Sequence, residues 1–337
     1  MELAAPNLIK IFSLTTLSFL LAVLWTPVLS HYLYKYKLTK RLRDKTWDGE
    51  PAKLFLKLHG AKKGTPTMGG VLIWITVALV TVAFNWSRSQ TWLPVFTLVA
   101  SGALGFIDDF LNIKGVVRGL SAKIKFFFQF LIAGTGAWWF FSKLEYSEIH
   151  VPASALLGLP ENLDIGWLYI PLFILTVVFL TNAVNITDGL DGLAGGTLTA
   201  SFAAIMGIAL VQGQIGIAAF AGTIIGALLA FLWFNIYPAR FFMGDTGAFA
   251  LGATLAVLAF LTNTIVVLPI IGFIFMIEGL SSLGQGFSKK FLTRKLLKIA
   301  PLHHHFEASG WPETKVTMRF WVIAAVTAAI GMVIAFL

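Results

Sequence analysis

Apolar runs close to the ~20 residues needed to cross a bilayer recur along this chain, separated by short polar stretches. Ten such segments are marked out at roughly 8–30, 67–85, 93–109, 124–142, 167–184, 193–211, 216–235, 247–262, 265–284 and 320–337. The eighth and ninth are divided only by residues 262–264. The first run reads as a spanning helix and not as a cleaved leader: it begins with Glu2, carries only Lys10 as an early base, and lacks a small-x-small cleavage site. The pattern predicts an all-α fold, a polytopic membrane protein of about ten transmembrane helices forming one unit over residues 1–337. An even number of crossings puts both ends on one side.

Charge says which side. The 337 residues are 57% hydrophobic and only 12% charged, about half of the ~25% charge of an ordinary soluble domain. All the Lys and Arg except Lys10, Arg88 and Lys143 fall in four stretches, 31–63, 110–125, 236–246 and 286–319. In a ten-helix arrangement these four face one compartment, which the positive-inside rule makes cytoplasmic. Both termini are then periplasmic or extracellular, as is the acidic stretch 143–166. The net charge of +9 is thus a topology signal. No compact basic domain exists to bind nucleic acid, and no cysteine is present for disulfides or thiolate metal sites. Within 286–300, Lys290, Arg294 and Lys298 fall at helical spacing opposite Leu292, Leu296 and Ile299, so this stretch either lies in the interface or serves only as a topology determinant.

Polar groups at membrane depth are costly and so mark function. Asp108, Asp109, Asp188, Asp191, Asp245 and Glu278 all fall at ends of apolar segments on the cytoplasmic side. Asp108 and Asp109 point about 100° apart on a helix, which suits two different jobs, one of them acid–base or nucleophilic. Asp188 and Asp191, with Asn185, share a face if helical, in a glycine-rich string otherwise free of Lys and Arg. Asp245 stands between Gly244 and Gly247, where an aspartate is either a helix cap or a ligand for a hard cation such as Mg²⁺. Phe242 offers an aromatic face to a base. His303, His304 and His305 run consecutively beside Glu307, expected in a loop, for phosphate contact, proton transfer or metal ligation. In the 61–70 string Thr65 reads as a helix cap and Pro66 as the first helical position, with Lys62 and Lys63 placed to meet a phosphate. Lys125, opening the fourth segment, is a further phosphate candidate.

The strings GTPTMGG (64–70), GFIDDF (105–110), NITDGLDGLAGG (185–196), FMGDTG (242–247) and PLHHHFE (301–307), in this order, resemble those of the polyprenyl-phosphate N-acetylhexosamine-1-phosphate transferases. The first and last are most similar to the phospho-N-acetylmuramoyl-pentapeptide transferase branch. The resemblance spans nearly the whole chain. It implies ten transmembrane helices in the bacterial inner membrane, an active site facing the cytoplasm, Mg²⁺ dependence and a homodimer. The implied reaction moves phospho-MurNAc-pentapeptide from UDP-MurNAc-pentapeptide to undecaprenyl phosphate, giving lipid I and UMP for peptidoglycan. By motif, Asp245 is implied to be the Mg²⁺ ligand, Asp108 and Asp109 the catalytic acidic pair, and His303, His304 and His305 catalytic or pyrophosphate-contacting. Lys62, Thr67, Asn185, Asp188, Asp191, Asn235, Phe242 and Gln285 resemble nucleotide-pocket positions. Asn112 stands where that family usually has lysine, with Lys114 as the nearest substitute.

Two rival functions fit parts of the pattern. A sister transferase for a different UDP-N-acetylhexosamine shares most of the motifs. An ion-coupled transporter also carries intramembrane carboxylates, but near mid-bilayer and in repeated halves, whereas here they gather at one set of segment ends and no repeat is visible.

Overall fold

The computed structural model describes residues 5–39, 60–62, 64–115, 119–154, 158 and 160–337; Lys63 lies outside them. Every apolar segment becomes helical. In chain order the helices are α1 (Ala5–Lys35), α2 (Val71–Phe84), α3 (Trp92–Lys114), α4 (Ala122–Lys143), α5 (Tyr169–Thr187), α6 (Leu193–Val211), α7 (Ile215–Asn235), α8 (Gly244–Leu261), α9 (Leu268–Ile271), α10 (Phe273–Phe291), α11 (Leu302–Ala308) and α12 (Glu313–Ile334). The only sheet among the described residues is a small antiparallel hairpin, β1 (Glu148–His150) with β2 (Asn162–Asp164).

Among the described residues, eight helices are long and apolar enough to cross a membrane. The two remaining segments differ from expectation for visible reasons. α2 has only 14 residues, about 21 Å at 1.5 Å per residue, because the chain from Gly64 to Met68 is not helical. Pro66, expected to open the helix, instead bridges Thr39, and its carbonyl accepts the Phe242 N–H at 2.8 Å. The ninth segment breaks at Gly272 into α9 and α10. The 286–300 stretch also departs from expectation: helix ends at Phe291, and Ser288 and Gln285 tie 294–297 back in an irregular path. Lys290, Arg294 and Lys298 therefore do not share a helical face.

α8 runs through the middle, with all 18 of its residues buried. Its sequence, rich in Ala, Gly and Thr, makes that possible, since without a hydrophobic drive between helices close approach of backbones supplies the packing. Gly105 of α3 abuts the carbonyl of Asp245, and Gly252 of α8 lies against the Leu180 carbonyl of α5. Several buried hydroxyls are satisfied locally: Thr181, Thr187, Thr197, Thr223 and Thr254 each donate to the carbonyl four residues back, which suits a hydrocarbon surrounding. The outer surface is apolar, with Leu24, Leu79, Trp233 and Val322 all more than half exposed. So large an apolar exterior fits a lipid-facing surface.

α3 and α8 are antiparallel, so the end of α3 meets the start of α8. The hairpin marks the opposite end, where the His150 N–H donates to Asn263, just past α8. Phe140, Tyr169, Phe173 and Phe260 pack into one aromatic cluster near it.

The α1–α7 contact offers a test remote from the polar residues. Gly226 lies against the Thr15 carbonyl, and Ser18 donates to the Thr223 carbonyl at 2.7 Å. We expect Gly226→Val to cost about 1–3 kcal/mol through overpacking, read as a lower midpoint of thermal unfolding in detergent. An unchanged midpoint would show that the two helices separate freely.

Candidate active site

Three helices bring the first group of charges together. Asp108, near the end of α3, lies 2.6 Å from Lys125 Nζ in the first turn of α4 and accepts the Leu120 N–H at 2.6 Å. The same ammonium lies 3.2 Å from Asp245 Oδ2 in the first turn of α8. Two carboxylates from helices far apart in sequence thus converge on one cation. Asp109 points elsewhere, as the 100° step anticipates. It is fully buried and accepts the Thr246 N–H at 3.1 Å, bracing the start of α8. Gly244, at φ 77°, adopts a conformation that L-residues resist. A Cβ there would lie 2.5 Å from Asp109 Oδ2 and 2.7 Å from Thr67 Oγ1. Thr67 is buried beside it, its N–H donated to the Leu38 carbonyl. The cap position of this helix falls on Met243, and Asp245 stands inside its first turn.

The second group sits on the turn after α5. The helix stops at Thr187, so Asp188 and Asp191 do not share a helical face as the spacing suggested. Asp188 accepts the Gly244 N–H at 3.1 Å, tying this turn to the first group. Asp191 is buried, pairs with Lys62 at 2.6 Å and accepts the Ala239 N–H at 2.9 Å. Glu313, opening α12, also pairs with Lys62 and accepts the Asp191 N–H at 2.7 Å. Lys62 stands 5.8 Å from the centre of the Phe242 ring. Asn235 is buried with both ends of its amide engaged, accepting from Gly192 and donating to the Phe241 carbonyl. It thereby clamps two loops. Asn185 is half-buried one turn before Asp188.

The third group comes from PLHHHFE, which is a short helix, α11, and not the expected loop. Pro301 caps it in extended conformation, and consecutive histidines then diverge. His303 is fully buried: its N–H donates to Glu278 Oε1 at 3.0 Å, and its Nδ1 lies 2.9 Å from Glu278 Oε2. Its Nε2 is buried with no hydrogen-bond partner and abuts Gly189, beside Asp188. His304 pairs with Glu307 at 2.7 Å. His305 instead accepts the exposed Lys298 N–H at 3.1 Å, away from the others. Gln285 is hydrogen-bonded to the 296–297 backbone. Lys114 lies over the Phe110 ring, one turn earlier on α3.

Asp108, Asp109, Asp188, Asp191, Asp245, Lys62, Lys125, Thr67, Phe242 and His303 therefore form one connected polar region at one end of the bundle. Sequence reasoning missed two contributors, and Glu278, singled out there with the other acids at segment ends, had been given no partner. Glu313 carried the signal of an acid just after Pro312 at a helix start. Thr246 acts through its backbone, which no residue type discloses.

The donor set fits Mg²⁺. Asp108 and Asp245 already hold a cationic ammonium between them, so their oxygens face a position suited to positive charge. A hard cation that takes one or two carboxylates plus phosphate oxygens matches that. No group of three acidic or histidine ligands exists among the described residues, so coordination would be completed by water and substrate oxygens.

The class of protein follows from comparison with known sequences. The family model described as glycosyl transferase family 4 matches residues 91–263, and the phospho-N-acetylmuramoyl-pentapeptide-transferase signature 1 matches 62–73. This is a multi-pass membrane transferase. The phospho-N-acetylmuramoyl-pentapeptide-transferase of Chloroflexus aggregans is 41% identical over 90% of this chain and 84% of its own length. Those of Geobacillus thermodenitrificans and Bacillus subtilis are each 37% identical over 94% of this chain and 95% of theirs. The chain belongs to the phospho-N-acetylmuramoyl-pentapeptide-transferase family.

The Glu278–His303 pair yields a stability test. Glu278→Ala strips the acceptor from two buried donors, at about 1–3 kcal/mol each. We expect a clear drop in the thermal midpoint, whereas His305→Ala, which frees only an exposed amide, leaves it within error. Equal effects would contradict the division of roles between the two histidines.

Proposed function

We propose that this protein transfers phospho-MurNAc-pentapeptide from its UDP carrier to undecaprenyl phosphate at the cytoplasmic face of the bacterial inner membrane, releasing UMP. The observation that carries the reading is the single ammonium of Lys125 shared by Asp108 and Asp245. The names of the relatives, the matching signature over 62–73 and the lysines Lys62 and Lys125 within the polar region support it. A homodimer is the assembly its resemblance implies.

The reactants repel each other, since both donor pyrophosphate and acceptor phosphate are anionic. Phosphoryl transfer needs positioning and charge neutralisation more than covalent help. Mg²⁺, held by Asp245 with Asp108 alongside, would neutralise phosphate oxygens of the donor. Lys125 is placed to exchange its carboxylate partners for phosphate oxygens, and Lys62 does the same for the nucleotide half. Asp108 takes the proton of the lipid phosphate, whose oxygen attacks the sugar-bearing phosphorus, and the bond to the UMP phosphate breaks. Asp109 keeps α8's first turn in register through the Thr246 N–H. Phe242 gives the uracil a ring to lie on beside Lys62. His303 presents Nε2 at Gly189, toward the pyrophosphate.

We expect Asp245→Asn and Asp109→Asn to abolish UMP release while leaving the helical circular-dichroism signal intact. Asp108→Asn should lower it by about 10²–10⁴-fold, the usual scale for a lost general base. Normal turnover by purified Asp245→Asn would remove the metal assignment.

Chelation with EDTA should stop the reaction and added Mg²⁺ restore it. Release of UMP from UDP-MurNAc-pentapeptide, but not from UDP-N-acetylglucosamine, separates this function from that of a sister transferase.

A further inference from the structure

A groove at the same end of the bundle takes no part in this chemistry. It lies between the last turns of α1 and the 236–243 loop, encloses about 400 Å³, and presents Ser30, His31, Tyr34, Lys35, Phe234 and Arg240. Three of these can be cationic, all three are exposed, and no carboxylate lines the space. Among the described residues, none of the three forms an ion pair. Arg240 spreads over the Phe234 ring at 5.8 Å, which leaves its guanidinium edge open to an oxyanion. The floor is apolar, made by the α1 turn at Pro27 and by Phe234.

The level of the groove identifies its occupant. Tyr32, Tyr36, Trp233 and Tyr237 stand exposed around it, the residue types that gather where hydrocarbon gives way to head groups. One and two turns earlier on α1, Val28 and Leu24 are more than half exposed, as a lipid-facing surface is. A cationic rim above an apolar floor at that depth suits a head group with its acyl chains attached. It does not suit a free anion.

The groove is also wired to the catalytic region. Tyr34 Oη donates to the Arg240 carbonyl at 2.6 Å, and the Arg240 N–H donates to the Phe234 carbonyl at 2.8 Å. Next to Arg240, the Ala239 N–H reaches Asp191 and the Phe241 carbonyl holds Asn235. Phe242 donates to Pro66, and Asp245 follows three residues on. We propose that the groove binds the phosphate head of an anionic phospholipid from the surrounding bilayer, and that this lipid fastens the 236–243 loop on which the Phe242–Asp245 corner depends.

The test uses the full chain in nanodiscs of phosphatidylcholine with and without phosphatidylglycerol. Native mass spectrometry reads the phosphatidylglycerol retained, and amide hydrogen exchange reads the 236–243 loop. We expect retention to fall about fivefold for each cation removed, the equivalent of ~1 kcal/mol per basic side chain near an anionic surface, in Lys35→Gln and Arg240→Gln. The charge-conserving pair Lys35→Arg and Arg240→Lys should retain the lipid. Phosphatidylglycerol should slow exchange in the loop of the wild type and not in the double glutamine variant. Equal retention by wild type and double glutamine variant overturns the proposal. So does loop exchange that ignores phosphatidylglycerol in the wild type, or slowing reproduced by inorganic phosphate in phosphatidylcholine discs.

Discussion

A carboxylate placed among hydrophobic helices has to be held by donors, because an unpaired buried charge is far costlier than any packing it disrupts. This chain buries Asp108, Asp109, Asp191 and Asp245 to within a few per cent of full enclosure. Each is met by a lysine or a backbone N–H. The rest of the architecture supplies those donors: the first turn of α8 for Asp109 and Asp188, the start of α4 for Asp108 and Asp245, and the 236–243 loop for Asp191. Removing the close α3–α8 approach would separate the Asp108–Lys125–Asp245 group, so the glycine packing in the middle of the bundle and the chemistry at its end are one problem.

Lysines on flexible stems supply part of that hold. Asp108, Asp191 and Asp245 each meet an ammonium, and Asp108 and Asp191 are anchored by a backbone N–H as well. An ammonium can turn from a carboxylate to a phosphate without moving the backbone, while the N–H keeps the carboxylate in place. A transferase for two anionic substrates needs both, and a transporter's mid-bilayer relay would not gather so many acids at the helix ends.

Much of this was legible in the chain. Apolar run length located the ten helical segments because hydrocarbon thickness sets a simple rule, and the acids stood out because they are rare in such runs. The divergence of Asp108 and Asp109 followed from helical geometry alone. The failures have a common cause, which is that side-chain type does not reveal what a backbone will pair with. Pro66 looked like a helix opener, yet its carbonyl serves Phe242. The amides of Asn235 and Gln285 hold loop backbone, a task that their residue type does not announce. The three histidines looked equivalent, and only the helix of α11 separates His303, held by Glu278, from His305, turned to Lys298. Glu313 pairs with Lys62 across most of the chain's length, a relation no local pattern carries.

The shortness of α2 has a consequence for how the site is held. At about 21 Å it falls well short of a ~30 Å hydrocarbon slab, and the balance of that wall is irregular chain from Gly64 to Gly70, hydrogen-bonded to residues 242 and 243. On that side the wall is therefore closed by loop backbone, whose exchanged hydrogen bonds fix Phe242 and Met243 beside the carboxylates. A shift of the 64–70 chain would carry the start of α8 with it.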